Sequence, residues 1–205
     1  MSRIILKISG EMLKDNDKVV SEKRLKIIYE TIKILKKHNH KIGIVIGGGN
    51  HFRGRENTNM QVITRDTIGM LGTVINALYL KEYLFKNEII SHVSTPFNFP
   101  DLIPNLTDDE LLDKCNGGDV IIFGGGVGKS GYSTDSGVIL ASEKLNGELI
   151  IKMTNVDGIY DSDPKVNMDA NKYDELTYNA VIENQLSVMD EYAFKKAKEM
   201  NIKIL

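Results

Sequence analysis

The sequence predicts an α/β protein in which a mostly parallel sheet is covered by helices on both faces. Three observations support this prediction. Short runs rich in β-branched residues alternate with longer stretches of helical periodicity along the 205 residues. Two glycine clusters directly follow predicted strands, and open α/β sheets bind ligands at that carboxyl edge. The chain has no internal repeat and no linker rich in Pro, Gly or Ser, so we expect a single domain over residues 1–205.

The strands are predicted from short apolar runs with many Ile and Val residues. In chain order they are Arg3 to Ser9, Lys41 to Ile46, Glu88 to Val93, Asp119 to Phe123, Glu148 to Met153 and Ile202 to Leu205. The glycine clusters begin at Gly47, after the second strand, and at Gly124, after the fourth. Clustered glycines at strand ends indicate backbone that approaches a ligand closely.

The helices are predicted from apolar residues at helical spacing and from capping residues. They cover Ser21 to His38, Thr64 to Phe85, a short segment opened by a capping box at Thr107, a segment after Thr134, and two short segments before the last strand. Ser94 to Leu106 holds three of the four prolines and is predicted to be a loop.

Composition and charge exclude several classes of protein. The net charge of −2 provides no general attraction to nucleic acid or to an anionic membrane, so neither partner is expected. The apolar run at the N-terminus is short and contains Lys7, unlike a signal peptide or a membrane span. Cys115 is the only cysteine, which excludes an intrachain disulfide and suits a reducing cytoplasm. The four histidines lack metal-ligand spacing, so no protein-built metal site is expected.

The second glycine cluster partly matches two nucleotide-binding motifs. Residues 123–130 resemble a P-loop, but Phe123 stands where that motif requires glycine. Gly126, Gly128 and Gly131 match GxGxxG, but Glu148 lies at the start of the next predicted strand, whereas a dinucleotide site needs an acidic residue at its end. Neither motif is therefore predicted to form the site.

Lysines and glycines at the ends of predicted strands indicate a phosphate site. Lys7 is a charge within an apolar strand, which is costly unless it meets an anion. Lys152 ends the fifth strand, and Gly47 to Gly49 follow the second. Backbone amides and lysine side chains are the donors that phosphate groups need. Lys7 and Lys152 are therefore the best candidates to hold the phosphates of a ligand, and Asp135, just after Thr134 at a predicted helix start, is the candidate to orient a lysine.

Five motifs carry a resemblance to a known family. They are KISGE, GGGNHFRG, D-x-x-GMLGTVINAL, a glycine loop ending in STD, and K-x-T-x-VDGIY-x-x-DP, starting or ending at Lys7, Gly47, Asp66, Asp135 and Lys152. They occur in the order found in bacterial UMP kinases, and the later LTYN and LSVMD-x-x-A also resemble that family. The resemblance spans nearly the whole chain and implies the three-layer αβα sandwich of the amino acid kinase superfamily.

The resemblance also implies the activity and its residues. The reaction would transfer the γ-phosphoryl group of ATP to UMP, with catalysis by Lys7, Lys152 and Asp135. ATP would contact Lys7, Ile8, Ser9, Gly10, Gly49, Arg53, Thr154, Tyr160 and Asp163. UMP would contact Gly48, Asp66, Val127, Gly128, Lys129, Ser130, Gly131, Tyr132, Ser133 and Thr134. Magnesium would enter bound to ATP. Residues up to about 115 would form mainly the acceptor side of the site, and residues from about 116 mainly the ATP side. By analogy with the family, a homohexamer is expected.

Departures from the family pattern leave alternatives open. The acceptor loop reads GVGKSGYSTD where the family usually has GTGNPFFTTD, which leaves the base preference open. Leu106 to Lys114 is acidic, which argues against an arginine-built effector site, and the family usually continues beyond the position of Leu205. The alternatives are a kinase of the same superfamily acting on a carboxylate, carbamate or phosphonate, and a nucleotide- or oxyanion-binding protein without transfer.

Overall fold

Six strands form one parallel sheet at the centre of the computed structural model, which describes residues 1–16, 18–153, 158–161, 166–173, 175–183, 186 and 189–205. The strands of this sheet are β1 (Arg3–Ile8), β2 (Lys41–Ile46), β3 (Ser91–Ser94), β4 (Val120–Phe123), β5 (Leu149–Met153) and β8 (Lys203–Ile204). Two further short strands, β6 (Ile159–Tyr160) and β7 (Lys172–Tyr173), form a separate pair. The helices are α1 (Glu22–Lys37), α2 (Val62–Lys86), α3 (Asp108–Gly117), α4 (Thr134–Leu145), α5 (Tyr178–Glu183) and α6 (Glu191–Glu199).

The order of strands in the sheet is β3-β4-β2-β1-β5-β8, and every neighbouring pair is parallel. The first strand of the chain therefore lies near the centre of the sheet, between β2 and β5. Parallel strands need long connections, which the helices between them provide. This arrangement brings the carboxyl ends of β1, β2, β4 and β5 to a single edge.

Alternate side chains of each strand enter two separate cores. On one face, Ile4, Leu6 and Ile8 of β1 pack with α1 and α2. On the other face, Ile5 packs with Ile150 of β5 and with α3, α4 and α6. Because side chains in a strand alternate with a period of two, Lys7 lies on the same face as Ile5. The predicted three-layer αβα sandwich is thereby confirmed.

The predicted capping box is present at the start of α3. The Thr107 hydroxyl accepts a hydrogen bond from the Glu110 amide, and the Glu110 carboxylate accepts one from the Thr107 amide. A left-handed Gly118 ends the same helix, as expected for a residue without a Cβ atom. No helix in the described part of the chain combines the length and the apolar character required to cross a membrane.

Two local predictions differ from the structure. The third strand was predicted from Glu88, but it begins at Ser91, because residues 87–89 close α2 with backbone hydrogen bonds to Leu84 and Phe85. Glu88 has a φ of 61°, which strand pairing does not allow. The antiparallel pair of β6 and β7 was not predicted, because two-residue strands carry too few residues to show a period.

Candidate active site

Strand register places Lys7 and Lys152 side by side. They are paired residues of the neighbouring parallel strands β1 and β5, one residue before each strand ends. The partners that precede them by two residues, Ile5 and Ile150, are both buried on the α4 face, so both lysines lie on that face as well. Adjacent strands are about 4.8 Å apart, so this register concentrates two positive charges at one point of the sheet edge.

A carboxylate from the first turn of α4 neutralises part of this charge. Asp135 forms an ion pair with Lys7, and the two side chains are 14% and 13% exposed. Burial, followed by the neighbouring charge of Lys7, lowers the pKa of Lys152, while Asp135 opposes the shift. This contact agrees with the predicted role of Asp135, which is to orient a lysine. Two lysines and one carboxylate leave an excess positive charge at this edge of the sheet, which suits an anionic ligand.

The first glycine cluster packs closely against its neighbours. A Cβ atom on Gly48 would lie 2.5 Å from the Gly69 carbonyl oxygen on α2, and one on Gly10 would lie 2.6 Å from the Gly49 amide nitrogen. Only glycine fits such approaches without displacement of backbone. Gly69 lies inside α2, about two turns from its start, where glycine costs helix stability, and its carbonyl is the atom that Gly48 approaches.

A buried amide holds this glycine loop in place. Asn76 of α2 is fully buried and donates hydrogen bonds to the Gly47 carbonyl and to the Asn50 side chain, each at 2.7 Å. Its oxygen accepts from the Asn50 amide at 3.0 Å and lies 2.8 Å from the His51 Nε2 atom. Since a buried amide must be satisfied, this network fixes the backbone of the loop relative to α2.

A cavity of about 520 Å³ opens beside the glycine loop and the β1 edge. The lining includes charged side chains of both signs and five glycines. Its residues are Lys7, Ser9, Gly10, Glu11, Gly47, Gly48, Gly49, Phe52, Arg53, Gly54, Arg55, Glu56 and Thr134. Six of the predicted nucleotide contacts, namely Lys7, Ser9, Gly10, Gly49, Arg53 and Gly48, thus share one cavity with Thr134 of the acceptor loop. Its size suits a small-molecule ligand.

Arg53 enters the cavity with two carboxylate partners. Its guanidinium lies 2.7 Å from a Glu11 oxygen and 3.0 Å from a Glu56 oxygen. Hydrogen bonds to these carboxylates raise the pKa of Arg53. Arg53 is half exposed, so an arriving phosphate can compete for it without burying an unpaired charge.

The acceptor loop contacts Asp66, near the start of α2. The Asp66 carboxylate accepts hydrogen bonds from the Ser130 hydroxyl at 2.5 Å and from the Gly131 amide at 2.8 Å. These two hydrogen bonds lower the pKa of Asp66. The loop reaches Asp66 because Gly128 and Gly131 have φ values of 75° and 87°, which side-chain-bearing residues rarely adopt.

The remaining predicted contacts fall in different places. Lys129 and Tyr132 are exposed, and the Tyr132 ring lies against the Tyr192 ring at a centroid distance of 6.0 Å. Tyr160 lies on β6, paired with Lys172 of β7 and outside the cavity lining. Ile8 is fully buried in the core, so a ligand can meet only its backbone. Thr154 and Asp163 lie outside the described residues.

Three residues of this region were not singled out from the sequence: Glu11, Asn76 and Asp190. Glu11 and Asn76 fall inside quoted motifs, so their position was available, but their contacts depend on the fold. Asp190 also falls inside a quoted motif, LSVMD-x-x-A, and as the N-cap of α6 it contacts the start of α4. The P-loop alternative does not form, since α4 begins at Thr134, four residues after the P-loop match ends at Ser130.

A metal site built by the protein would need converging ligands. The described residues contain no group of three or more His, Cys, Asp or Glu side chains placed to hold an ion. The carboxylates near the cavity are already paired, Asp135 with Lys7, and Glu11 and Glu56 with Arg53. A magnesium ion bound to a nucleotide would be held mainly by phosphate oxygens and water, so it would not require these paired carboxylates as ligands.

Comparison with known proteins agrees with this geometry. Residues 2–205 match the Amino acid kinase family. The uridylate kinase of Fervidobacterium nodosum is 42% identical over 209 residues, covering 99% of this chain and 87% of that protein. The uridylate kinase of Thermosipho melanesiensis is 40% identical, covering 99% and 88%. The crystal structure of UMP kinase from Bacillus anthracis superposes with a TM-score of 0.93 at 32% identity, covering 100% and 86%.

A second crystal structure, UMP kinase from Ureaplasma parvum, has a TM-score of 0.92 at 31% identity and covers 99% of this chain and 88% of its own. These similarities extend over the whole sheet and over the strand ends that carry Lys7 and Lys152. The chain therefore belongs to the amino acid kinase family.

Proposed function

We propose that this protein is a UMP kinase, which transfers the γ-phosphoryl group of ATP to UMP and releases ADP and UDP. The observation that carries the proposal is the register pairing of Lys7 and Lys152 beside a glycine loop, with Asp135 ion-paired to one of them. The proteins named above, at 31–42% identity, are uridylate or UMP kinases, which supports UMP as the acceptor.

We propose that the donor ATP binds where Lys7 and the glycine loop line the cavity. In this proposal the β- and γ-phosphates of ATP lie against Lys7, which lines the cavity, and against Lys152, which is its register partner outside the lining. Backbone amides of Gly10 and Gly49 donate to the phosphate oxygens. Arg53 exchanges its carboxylate partners for phosphate. Thr154, Tyr160 and Asp163 complete the ATP site in this proposal, with Tyr160 near the adenine.

We propose that the acceptor UMP contacts Gly48, Asp66 and the loop from Val127 to Thr134. Asp66 accepts two hydrogen bonds from the protein's own loop, which supports a carboxylate ready to accept from the two hydroxyl groups of a ribose. Thr134 lines the same cavity as Lys7, which supports an acceptor phosphate that faces the γ-phosphate.

The reaction needs positioning and charge stabilisation and no strong base. An ionised oxygen of the UMP phosphate attacks the γ-phosphorus, the bond to the β,γ-bridging oxygen breaks, and the electron pair leaves with ADP. Lys7 and Lys152 neutralise charge on the transferred group and on the leaving oxygen. Asp135 keeps the Lys7 ammonium in place. Magnesium bound to the ATP phosphates supplies further neutralisation and orientation.

We also propose a homo-oligomer, with a hexamer by analogy to the family. One side of α2 exposes a contiguous set of large apolar side chains, with exposed fractions of 40% for Leu71, 43% for Ile75, 40% for Leu78 and 52% for Tyr79. An apolar helix face of this kind is favourable when a second subunit covers it. The location proposed is the cytoplasm, in keeping with a single buried cysteine.

The test is an ADP-release assay with UMP, CMP, dTMP, AMP and GMP as acceptors, and with carboxylate and carbamate compounds in the same panel. We expect UMP to be preferred. A Lys7→Ala preparation purified in parallel controls for contaminating kinases. Phosphorylation of a carboxylate compound without phosphorylation of UMP would overturn the proposal in favour of another kinase of the family. Binding of ATP without turnover on any acceptor would indicate a binding protein.

A further inference from the structure

Asp190 joins the start of α6 to the start of α4. It is the N-cap of α6, and its Oδ1 atom accepts a hydrogen bond from the Ala193 amide at 2.7 Å. Its Oδ2 atom accepts one from the Ser133 hydroxyl and lies 3.5 Å from the Ser136 hydroxyl. One carboxylate thus accepts hydrogen bonds from two helices at once.

Ser133 passes this constraint into α4. Its oxygen is the N-cap of α4 and accepts from the Asp135 amide at 2.9 Å and from the Ser136 amide at 3.4 Å. A serine hydroxyl has one hydrogen, so donating it to Asp190 turns the oxygen lone pairs toward these amides. The carboxylate of Asp190 therefore sets the rotation of the cap that holds Asp135.

Asp190 also contacts Asp135 through its own backbone. The Asp190 amide donates to Asp135 Oδ2 at 3.1 Å, while the other side of the Asp135 carboxylate pairs with Lys7. Asp135 is therefore held at its amide, through Ser133, and at its side chain, through the Asp190 amide. Both constraints depend on the backbone position that the α6 cap gives to Asp190.

We infer that Asp190 is a positioning residue for phosphoryl transfer, which holds Asp135 and through it the Lys7 ammonium. The inference rests on the proposed function. The side chain of Asp190 is used in hydrogen bonds to the α6 and α4 caps, so its proposed role is to position Asp135. Misplacing a charged group at the reacting centre lowers the rate more than it lowers ground-state binding, so its loss should change kcat more than KM.

The test variant is Asp190→Asn, compared with Thr107→Ala. Asparagine is as good an N-cap as aspartate, so α6 keeps its cap, but the second acceptor for the Ser133 hydroxyl is replaced by an amide donor or a neutral oxygen. Thr107 caps α3, whose residue Asp108 pairs with Lys144 in the last turn of α4. That contact lies roughly 15 Å along α4 from Thr134, so Thr107→Ala removes a cap remote from the site.

We expect Asp190→Asn to lower kcat about 10-fold, a part of the roughly 100-fold that a 1 Å misplacement costs, with KM for ATP changed less than about 2-fold. Thr107→Ala should lower Tm by about 2–4 °C and leave kcat unchanged. If the two variants have equal kcat, or if KM rises while kcat holds, the inference is wrong. Should Asp190→Asn fail to fold, Asp190→Ser gives the same comparison, since serine caps a helix but is too short to reach Ser133 as well.

Amide hydrogen exchange provides a readout that does not need turnover. The peptide containing the first turn of α4 should exchange faster in Asp190→Asn than in Thr107→Ala, because the Asp135 and Ser136 amides lose an oriented cap. Equal exchange in the two variants contradicts the inference, whatever the acceptor. A wild-type protein that phosphorylates no acceptor overturns the proposed function, while the exchange comparison still decides whether Asp190 holds α4.

Discussion

The lysine pair and the Asp66 contact are built in different ways. Lys7 and Lys152 project from neighbouring strands of the central sheet, and their positions follow from the register of β1 and β5. Asp66 projects from α2 and meets Ser130 and Gly131 of a loop whose glycines adopt positive φ. One region is supported by two hydrophobic cores, and the other by hydrogen bonds within reach of solvent.

This difference predicts different roles for the two regions. Strand register holds like charges together before any ligand arrives, which preorganises the site where charge develops. A loop held by exchangeable hydrogen bonds can release Asp66 to a substrate that offers equivalent donors. We therefore expect substitutions of the lysine pair to act mainly on kcat, and substitutions of the Asp66 region to act mainly on KM for UMP.

The largest effect is expected at the lysine pair. Lys7→Ala or Lys152→Ala should each lower kcat by about 100-fold to 1000-fold, equivalent to roughly 3–4 kcal/mol of transition-state stabilisation. Steady-state kinetics with saturating ATP and UMP measures this change. Lys144→Ala is the matched control, since Lys144 pairs with Asp108 at the far end of α4. An unchanged kcat in both site variants refutes their assigned roles.

The next effect is expected at Asp66. Asp66→Asn keeps the volume but removes the charge, so KM for UMP should rise by about 10-fold to 100-fold, as for the loss of hydrogen bonds to a charged group. Asp113→Asn, at an exposed position on α3, controls for the loss of one negative charge. A fall in kcat with no change in KM for UMP would erase the contrast between the two regions.

The dependence of kcat/KM on pH tests the role of Lys152 in the lysine pair. Burial and Lys7 lower the pKa of Lys152 below the ordinary 10.5, and only the protonated lysine binds phosphate well. The value of kcat/KM for ATP should therefore fall on the alkaline side, by about tenfold per pH unit, with an apparent pKa below 10.5. Lys152→Arg should move this fall to higher pH, whereas Lys144→Arg should not.

The same shift has a consequence for stability. The folded protein holds the Lys152 proton less tightly than the unfolded chain does, so the charged form disfavours folding. The contribution of Lys152 to the free energy of unfolding should therefore rise as the pH increases from the folded pKa toward 10.5. Urea denaturation of the wild type and of Lys152→Met across this range measures the difference.

The smallest effect tests how the acceptor loop is held. Gly131 has a φ of 87° and open space around a Cβ atom, whereas Gly117, in α3, has open space and no positive φ. Gly131→Ala should lower the free energy of unfolding by about 1 kcal/mol, and Gly117→Ala should not lower it. Equal values in denaturant titrations would mean that backbone conformation does not maintain the loop.

Prediction from the sequence succeeded where the signal is local. The β1, β2 and β4 strands, the long helix α2 and the Thr107 capping box are confirmed with shifts of one or two residues at their ends. The predicted strand at Glu88 started three residues too early, because residues 87–89 belong to the turn that closes α2, although Ile89 and Ile90 continue the apolar run. The β6–β7 pair was missed because it has almost no local signal.

Within the site, the residues on strand ends could be predicted and their contacts could not. Lys7 was identifiable as a charge in an apolar strand and Asp135 as a residue at a helix start, but their ion pair depends on how α4 packs on the sheet. The contact of Asp66 with the loop joins residues 64 positions apart or more. Asp190 falls inside the quoted motif LSVMD-x-x-A, but its contact with Ser133 required α6 to lie beside α4.

The sequence by itself determined the alternation of strands and helices, the face of β1 that carries Lys7, and the glycines at two strand ends. These features follow from the period of the side chains and from backbone sterics, which act over a few residues. Only the tertiary structure decided the strand order, and with it that β5 lies beside β1 and brings Lys152 to Lys7. Strand order depends on burying both faces of the sheet at once, and that requirement is met by the whole chain and by no segment alone.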